Sequence, residues 1–546
     1  MTRTSVQRLE RLQISEIDHL GLSEQRIERW VWGFVALGIG LRVLTYLLRF
    51  PIWTDEAKLA TSLLDRGYAE LLEPFAYGQI ATVLFMWVQK TASLVFGFSE
   101  YSLRLIPVLS AVAGVLLMRH VARRLFLGTP MLFAVAIFAV SYYPVRHAAE
   151  LKPYATDLLA SLVLTAVALE WLREPTRVRW LWCFAALAPL AISLSYTAIF
   201  VAAGILICLA LPVWHERGWP SRLALGVSGL LAGGTFVANL LLFAGKQYQQ
   251  RSRMTIPWPG GFPAWEDPPG VLAWLVQAHT GRTFGYPLGA EHGGSVLTFA
   301  AFAVGAIVLF RARRRLHLAL LLCPFGLAFV AALLGLYPYG GSGRVSQYMV
   351  PAICLLAGLG AARISSIAKR SASRRRAQAC VLAFLVLFGV LFGLGSFLRP
   401  YRDRPDMIGR DFARWFWDVK SRDAELVCAW QDLRLDFARP GERGWTPGGA
   451  GYRINQRIYY KRIHRGQPPD LASVSEQRPL RVVFLGTAVH SQPDAFEEWL
   501  REMRTQYDFL GRERHDLGRF EEQHGQGDWV EIYSFVPRRP DETDPL

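Results

Sequence analysis

Two adjacent carboxylates, Asp55 and Glu56, follow the first long apolar run of the chain, in the sequence FPIWTDEAKLATSLL. A charged side chain at bilayer depth costs about 2.5–3.5 kcal/mol, and neighbouring like charges repel unless a cation or a proton is close. One interpretation is structural: Thr54 or Asp55 caps a helix, and acids in the first turn suit its dipole. The other is chemical: a carboxylate at the external membrane boundary acts as a general base on a hydroxyl group.

A second group of ionisable residues lies in the sequence YYPVRHAAELKPYATDLLASL, residues 142–162. Its members fall close together between two apolar runs: Arg146, His147, Glu150, Lys152 and Asp157. Helical spacing would align His147, Glu150, Tyr154 and Asp157, but Pro153 would break a helix that held them all. We therefore predict an external loop that re-enters the membrane as a helix beginning near Pro153. The acids and Lys152 would then lie at the same membrane face as Asp55.

A third group is the sequence LYPYGGSGRVSQYMVP, residues 336–351, in which glycines allow a tight turn before Arg344. Arg344 can serve as a membrane anchor that reaches to the interface. Alternatively, its guanidinium can bind a lipid phosphate through two parallel hydrogen bonds. Arg104, at the external end of another span, has the same two interpretations. His279 and Arg282 in QAHTGRTFGYP are less specific candidates.

The elements that must position these groups are membrane helices. The chain is 52% hydrophobic, 13% aromatic and only 19% charged, with a mean hydropathy of +0.22, which is too apolar for an ordinary soluble protein. Runs long enough to cross a bilayer with few charges predict a polytopic α-helical membrane protein with about eleven transmembrane helices, at residues 30–48, 103–119, 129–144, 157–172, 180–196, 197–213, 222–244, 294–311, 316–336, 345–363 and 378–398.

The net charge of +16 is distributed as in a membrane protein. Basic clusters fall on alternate sides of the spans, which predicts a cytoplasmic N-terminus and an external C-terminal region. No basic surface with interleaved aromatics appears, so we expect no nucleic-acid partner. The apolar stretch IATVLFMWVQKTASLVFGF is predicted to lie in the interface, because counting it as a span would invert the charge pattern. The six cysteines form no disulfide framework or zinc spacing.

Three parts of the chain are distinguished by composition. Residues 1–29 form a predicted cytoplasmic segment, and residues 30–398 a transmembrane domain with external loops at 49–102 and 245–293. Residues 399–546 have ordinary polarity and predict an extracytoplasmic α/β domain. Its strands are expected at 424–430, 480–486 and 528–536, with a helix over DAFEEWLREMRTQYDFL before the last strand.

Four motifs taken together resemble the GT-C superfamily of integral-membrane glycosyltransferases: TDEAKLA, GFSEYSLRLIPVLSAVAGVLLMRHVARRLF, AELKPYATDLL and YPYGGSGRVSQYMVP. The resemblance is to the glycosyltransferase family 39 branch, which comprises polyprenyl-phosphate-mannose-protein mannosyltransferase-like and RgtA/B/C/D-like proteins. It covers residues 30–360 and implies a GT-C-like fold in the inner cell membrane. It also implies transfer of a hexose or pentose from a polyprenyl-phosphate carrier to a glycan, lipid or protein acceptor. The membrane lipids are further expected partners.

The resemblance also implies roles for individual residues. The acids Asp55, Glu56, Glu150 and Asp157 are the implied catalytic residues, with Asp55 as the base of an inverting transfer. The donor phosphate would be bound by Arg104, Lys152 and Arg344, and the substrates by Gln79, His147, Tyr154 and Arg282. Gln79 departs from the proline pair of relatives. A divalent cation, Mg²⁺ or Mn²⁺, could be held by Asp55, Glu150 and Asp157, because hard cations prefer oxygen ligands.

Other functions share part of this pattern. A lipid-linked sugar flippase or transporter would also be polytopic and basic inside, but it should carry charges near mid-span or paired broken helices in two halves. A membrane scaffold that presents the C-terminal domain needs no catalytic residues at all. An O-antigen ligase-like enzyme is the nearest enzymatic alternative and differs in using a pyrophosphate-linked donor.

Overall fold

The computed structural model describes residues 23–75, 78–250, 258–290, 294–367, 370–400, 410, 425–428, 475–476, 479–486, 500–501, 503–505, 507–516 and 529–538. The chain divides into two compact units. Among the described residues, the larger unit comprises those up to Arg49 together with 72–74 and 80–398, and the smaller comprises 50–71, 75, 78–79 and those after 398.

The larger unit is entirely helical in its described part. Its principal helices are α1 (Glu24–Leu47), α3 (Val83–Val95), α4 (Glu100–Leu125), α5 (Thr129–Val140), α6 (Tyr142–Arg146), α7 (Tyr154–Arg173), α8 (Arg179–Leu194), α9 (Ala198–Glu216), α10 (Trp219–Asn239), α11 (Gly245–Gln250), α12 (Pro268–Thr280), α13 (Ser295–Arg311), α14 (Arg315–Leu333), α15 (Val350–Ser365) and α16 (Ser371–Leu398). Short 3₁₀ turns lie at Pro259–Gly261, Arg282–Phe284 and Gln347–Met349, and a π-helical turn, Leu240–Ala244, follows α10.

Each of the eleven predicted spans falls on one of these helices. Within the described residues, eight helices are long and apolar enough to cross a membrane, and α3, α5, α8 and α13 are shorter apolar helices. The fold class is therefore confirmed: the chain is a polytopic helical membrane protein. The number of spans stays a prediction, as does the placement of α3 in the interface.

Helix α5 forms the centre of the larger unit. Every residue from Thr129 to Val140 is buried, and a helix that is apolar on all sides belongs inside a bundle. It packs against α1 on one side and α15 on another. Gly358 of α15 allows this contact, because an added Cβ would overlap the Ala134 backbone.

A buried arginine completes the C-terminal end of α5. Arg42 of α1 donates hydrogen bonds to the carbonyl oxygens of Ala139 at 2.9 Å and Phe138 at 3.3 Å, and to Gly38 of its own helix at 2.8 Å. The last carbonyls of a helix have no partner within the helix. Arg42 thus bonds two of them, immediately before the chain enters the 142–162 segment.

In the smaller unit, α2 (Thr54–Asp65) comes from the first half of the chain, and a 3₁₀ turn at Glu70–Leu72 ends at the boundary with the larger unit. Four strands from the C-terminal part form a mixed sheet in the order β1-β2-β4-β3: β1 (Glu425–Cys428), β2 (Leu480–Gly486), β3 (Tyr507–Asp516) and β4 (Trp529–Pro537). Strand β1 is parallel to β2, and the other pairs are antiparallel. The three predicted strands are confirmed.

The predicted tail helix is wrong in its last part. Residues 500–505 contain helical positions, but β3 begins at Tyr507, so the helix does not continue to Leu510. Pairing with β4 places Phe509 opposite Phe535, with ring centroids 5.6 Å apart, and such cross-strand contacts override a weak local preference. Residues 494–499 and most of 399–479 lie outside the described residues, as do residues 1–22.

Candidate active site

The two adjacent carboxylates lie in the first turn of α2. The helix begins at Thr54, so Glu56 is its third residue, and the Trp53 backbone N–H donates to Glu56 Oε2 at 3.4 Å. The prediction that Thr54 or Asp55 caps the helix is therefore wrong. Glu56 reaches back to the residue before the helix, as the third residue of a capping box does, and its side chain is fully buried.

Asp55 has a different environment from its neighbour. Its side chain is 31% exposed, and its Oδ1 lies 3.9 Å from Nζ of Lys58, one helical turn further on. Lys58 is itself mostly buried. A cation at this distance and the positive end of α2 both favour the ionised carboxylate. Asp55 therefore combines negative charge with access to a substrate, as a general base requires.

The second group lies in the turn between α6 and α7. Helix α7 begins at Tyr154 directly after Pro153, which confirms the predicted helix start. His147 Nδ1 lies 2.9 Å from Glu150 Oε2, and both side chains are buried. The Glu150 carbonyl also accepts from the Lys152 backbone N–H at 2.7 Å. The Glu150 carboxylate is thus bound to an imidazole.

Aromatic rings surround this pair. The Tyr143 ring is parallel to the His147 ring within 4°, with centroids 6.2 Å apart, and Tyr154 meets His147 edge-on at 5.2 Å. Arg146 donates to the hydroxyl of Tyr142. Tyr154 and His147 are therefore neighbours, although they do not belong to one helix.

Asp157 joins a different set of residues. It lies in the first turn of α7, is 5% exposed, and accepts hydrogen bonds from the hydroxyls of Ser195 and Thr197. These two hydroxyls lie 3.1 Å from each other in the turn between α8 and α9. Asp157 thereby connects α7 to that turn.

The glycine turn before Arg344 packs on the second group. Gly340 and Gly341 have φ values of 80° and 69°, a conformation that glycine adopts without strain. A Cβ added to Gly343 would lie 2.7 Å from the Tyr143 ring. The Arg344 guanidinium lies over the Trp258 ring, 4.9 Å from its centroid. The structure therefore brings the second and third groups together through Tyr143.

The 279–290 segment joins the same region. Its Ala290 backbone N–H donates to the Tyr143 hydroxyl at 3.3 Å. His279 Nδ1 lies 2.8 Å from the Leu275 carbonyl oxygen, and its Nε2 lies 3.1 Å from the Tyr339 hydroxyl. Burial raises the pKa of Tyr339 well above its ordinary value, so the phenol stays neutral. Arg282 is exposed at a 3₁₀ turn.

Arg104 and Gln79 are both buried, at 2% and 6% exposure. Arg104 lies in the second turn of α4, two turns before Ala111 and on the same helical face. Ala111 is buried together with Ala148, which lies within the His147–Glu150 turn, and Ala155, which lies at the start of α7. Small residues let α4 approach that turn closely. Gln79 belongs to the smaller unit.

The described residues do not gather the predicted metal ligands. No group of three or more His, Cys, Asp or Glu side chains in the described ranges could hold a metal ion. Glu150 pairs with His147, and Asp157 accepts from two hydroxyls. The divalent cation stays a prediction, and no step below depends on it.

Sequence reasoning missed Tyr143 and Trp258. Both contact predicted site segments from a distance in sequence: Tyr143 contacts Gly343, and Trp258 contacts Arg344. The Tyr142-Tyr143 pair directly before the ionisable group is the signal that could have found the first of them. Trp258 had no signal beyond the aromatic and proline content of its loop.

Comparisons with known proteins agree with this architecture. Residues 81–241 match the family described as dolichyl-phosphate-mannose-protein mannosyltransferase. The fold is similar to two crystal structures of ArnT from Cupriavidus metallidurans. The one bound to undecaprenyl phosphate has a TM-score of 0.54 at 15% identity, and the apo structure 0.51 at 14%. Each comparison covers 92% of this chain and 98% of ArnT.

An oligosaccharyltransferase from Archaeoglobus fulgidus in the apo form has a TM-score of 0.49 at 12% identity, over 94% of this chain and 75% of that one. No curated protein sequence matches the chain. The resemblance predicted from the motifs is confirmed: residues 81–241 match that mannosyltransferase family, and the multi-pass membrane fold is similar to that of ArnT.

Proposed function

We propose that this protein transfers a sugar from a polyprenyl-phosphate carrier to an acceptor hydroxyl at the external face of the membrane, with inversion at the anomeric carbon. The family match over residues 81–241 supports a lipid-phosphate-linked donor. The ArnT structure of similar fold was solved with undecaprenyl phosphate bound, which supports a polyprenyl phosphate as the carrier.

The observation that carries the proposal is the difference between Asp55 and Glu56. Glu56 is fully buried and accepts the Trp53 backbone N–H, so its carboxylate stabilises the start of α2. Asp55 is 31% exposed and lies beside the Lys58 ammonium. Of the two adjacent acids, only Asp55 is therefore accessible, and we assign it as the general base.

The departing phosphate requires positive charge. Arg344 follows a glycine turn that fixes its backbone against Tyr143, and a guanidinium can bind a phosphate through two hydrogen bonds. Lys152 follows the His147–Glu150 turn directly, before α7 begins, and Arg104 lies on the face of α4 that packs against this turn. In our proposal these three cations stabilise the charge that develops on the phosphate oxygen.

The transfer balances without a nucleotide. The acceptor oxygen attacks the anomeric carbon from the face opposite the phosphate and forms the new C–O bond. The bond between that carbon and the phosphate oxygen breaks, and its electron pair stays on the phosphate. The hydroxyl proton passes to Asp55. The products are the glycosylated acceptor and the polyprenyl phosphate.

An isosteric pair of substitutions tests this proposal. Asp55→Asn removes the base, whereas Glu56→Gln keeps an oxygen that can accept the Trp53 N–H. Lipids extracted from cells that express each full-length variant are analysed by mass spectrometry for polyprenyl-phosphate sugars. We expect one such species to accumulate with Asp55→Asn and to stay at the wild-type level with Glu56→Gln, because loss of a general base costs about 10²–10⁴-fold in rate.

The opposite pattern would overturn the assignment. Unchanged lipid profiles with a folded Asp55→Asn protein would remove Asp55 as the base and would favour the transporter or scaffold functions. Accumulation of a pyrophosphate-linked species would instead identify a ligase-like enzyme. Accumulation with Glu56→Gln alone would exchange the roles of the two acids.

A further inference from the structure

Tyr143 is the point at which three distant segments of the larger unit meet. Its ring faces Gly343, where an added Cβ would lie 2.7 Å away. Its hydroxyl accepts the Ala290 backbone N–H at 3.3 Å, and its ring meets that of Tyr286 edge-on at 6.0 Å. The side chain is 6% exposed. Tyr143 is therefore enclosed by the 286–290 and 340–344 segments.

The His147–Glu150 pair lies on the same tyrosine. The Tyr143 and His147 rings are parallel within 4°, and His147 Nδ1 holds Glu150 Oε2 at 2.9 Å. The adjacent residue is fixed as well, since the Tyr142 backbone N–H donates to the Pro287 carbonyl at 2.7 Å and its ring would be 3.0 Å from a Cβ on Gly289. The short helix α6 is thereby anchored to the 286–290 segment.

Arg344 follows Gly343 directly, so the position of its backbone depends on how closely Gly343 rests on the tyrosine ring. The Arg344 N–H donates to Ser342 Oγ at 3.4 Å within the same turn. Its guanidinium is stacked over Trp258. The ring of Tyr143 thus fixes the position of the Arg344 backbone, and the indole of Trp258 fixes the position of its guanidinium.

We propose that Tyr143 is a positioning residue for phosphate binding: it holds the Arg344 turn and the His147–Glu150 turn, which leads into Lys152, in one fixed relation. The inference rests on the proposed function, because it assigns Arg344 and Lys152 to the donor phosphate. Tyr143 itself does not contact the reacting atoms. It acts by fixing the distance between two cations that are distant in sequence.

Binding of a polyprenyl phosphate to the purified full-length protein in detergent tests the inference. Tyr143→Leu removes the ring, Tyr143→Phe keeps it, and Gly343→Ala forces the turn away from it. We expect Gly343→Ala and Tyr143→Leu to weaken binding about tenfold, within the range of couplings between contacting residues, and Tyr143→Phe to weaken it less than about threefold. Gly326→Ala is the glycine control, since an added Cβ there meets nothing within 4 Å.

A cycle with Arg344→Gln separates positioning from general destabilisation. If Tyr143 acts through Arg344, Tyr143→Leu or Gly343→Ala has no further effect on affinity once Arg344 is replaced. Additive losses in the cycle, or wild-type affinity in both single variants, would overturn the inference. If Tyr143→Leu does not fold, Gly343→Ala alone decides it. Failure of the proposed function looks different, because the wild-type protein would then not bind polyprenyl phosphate at all.

Discussion

His147 Nδ1 lies 2.9 Å from Glu150 Oε2 in a turn where both side chains are buried. Glu150, predicted as a second catalytic acid, therefore has a buried imidazole as its neighbour. A carboxylate held by an imidazole orients that ring and fixes which nitrogen carries the proton. Glu150 therefore has His147 as a structural partner. The His147 ring lies beside Tyr143, and Glu150 is two residues before Lys152.

The first prediction concerns the cost of breaking this pair. Removal of one member of a buried ionic or hydrogen-bonded pair costs about 3–5 kcal/mol, whereas an apolar replacement of both is much less costly. We expect His147→Leu and Glu150→Met each to lower the apparent melting temperature in detergent more than the double variant does. Equal and additive decreases in the cycle would show that the two side chains do not stabilise each other.

The second prediction concerns Arg42. Its guanidinium bonds the Phe138 and Ala139 carbonyls at the end of α5, and the Ser141 hydroxyl bonds the Ile137 carbonyl at 2.6 Å. Arg42→Met would leave two buried carbonyls without these bonds, at about 1–3 kcal/mol for each unsatisfied group. We expect a clear decrease in the melting temperature and partial loss of activity, because α5 leads directly into the Tyr143 segment.

Arg29→Met is the matched control for Arg42. It lies in the same helix but is exposed, and surface substitutions usually change stability by less than about 0.5 kcal/mol. The melting temperature of Arg42→Lys should be intermediate. An ammonium is a compact charge and cannot bond several separate carbonyls as the planar guanidinium does. A melting temperature for Arg42→Met equal to that of the control would contradict the role given to the guanidinium.

The membrane helices could be predicted because a helix that crosses a bilayer must be long and apolar and must satisfy its backbone hydrogen bonds internally. Each predicted span falls on a helix for this reason, and Pro153 correctly marked the start of α7. The cap of α2 was missed because the helix begins one residue earlier than expected, which moves the capping role to Glu56. Strand β3 was missed because its pairing with β4 decides its conformation.

The candidate site stays a prediction as a set of residues, and the contacts among them could not be predicted from the sequence. Residue type and position at a span boundary identified Asp55, Glu150 and Arg344. The parallel rings of Tyr143 and His147, and the contact of Gly343 with Tyr143, depend on helices distant in sequence. Likewise, the hydrogen-bond partners of Asp157 could not be predicted, because Ser195 and Thr197 come from a turn that is distant in sequence.

The last prediction concerns the contact between α13 and α15, which supports the Gln347–Met349 turn after Arg344. A Cβ on Gly305 would overlap the Leu356 carbonyl oxygen, so the two backbones are in direct contact. Gly305→Ala should cost about 1–3 kcal/mol, as overpacking does. Gly326→Ala of α14, which has open space, should be neutral or gain up to about 1 kcal/mol. Melting in detergent measures both, and equal stability of the two variants would contradict direct backbone packing at Gly305.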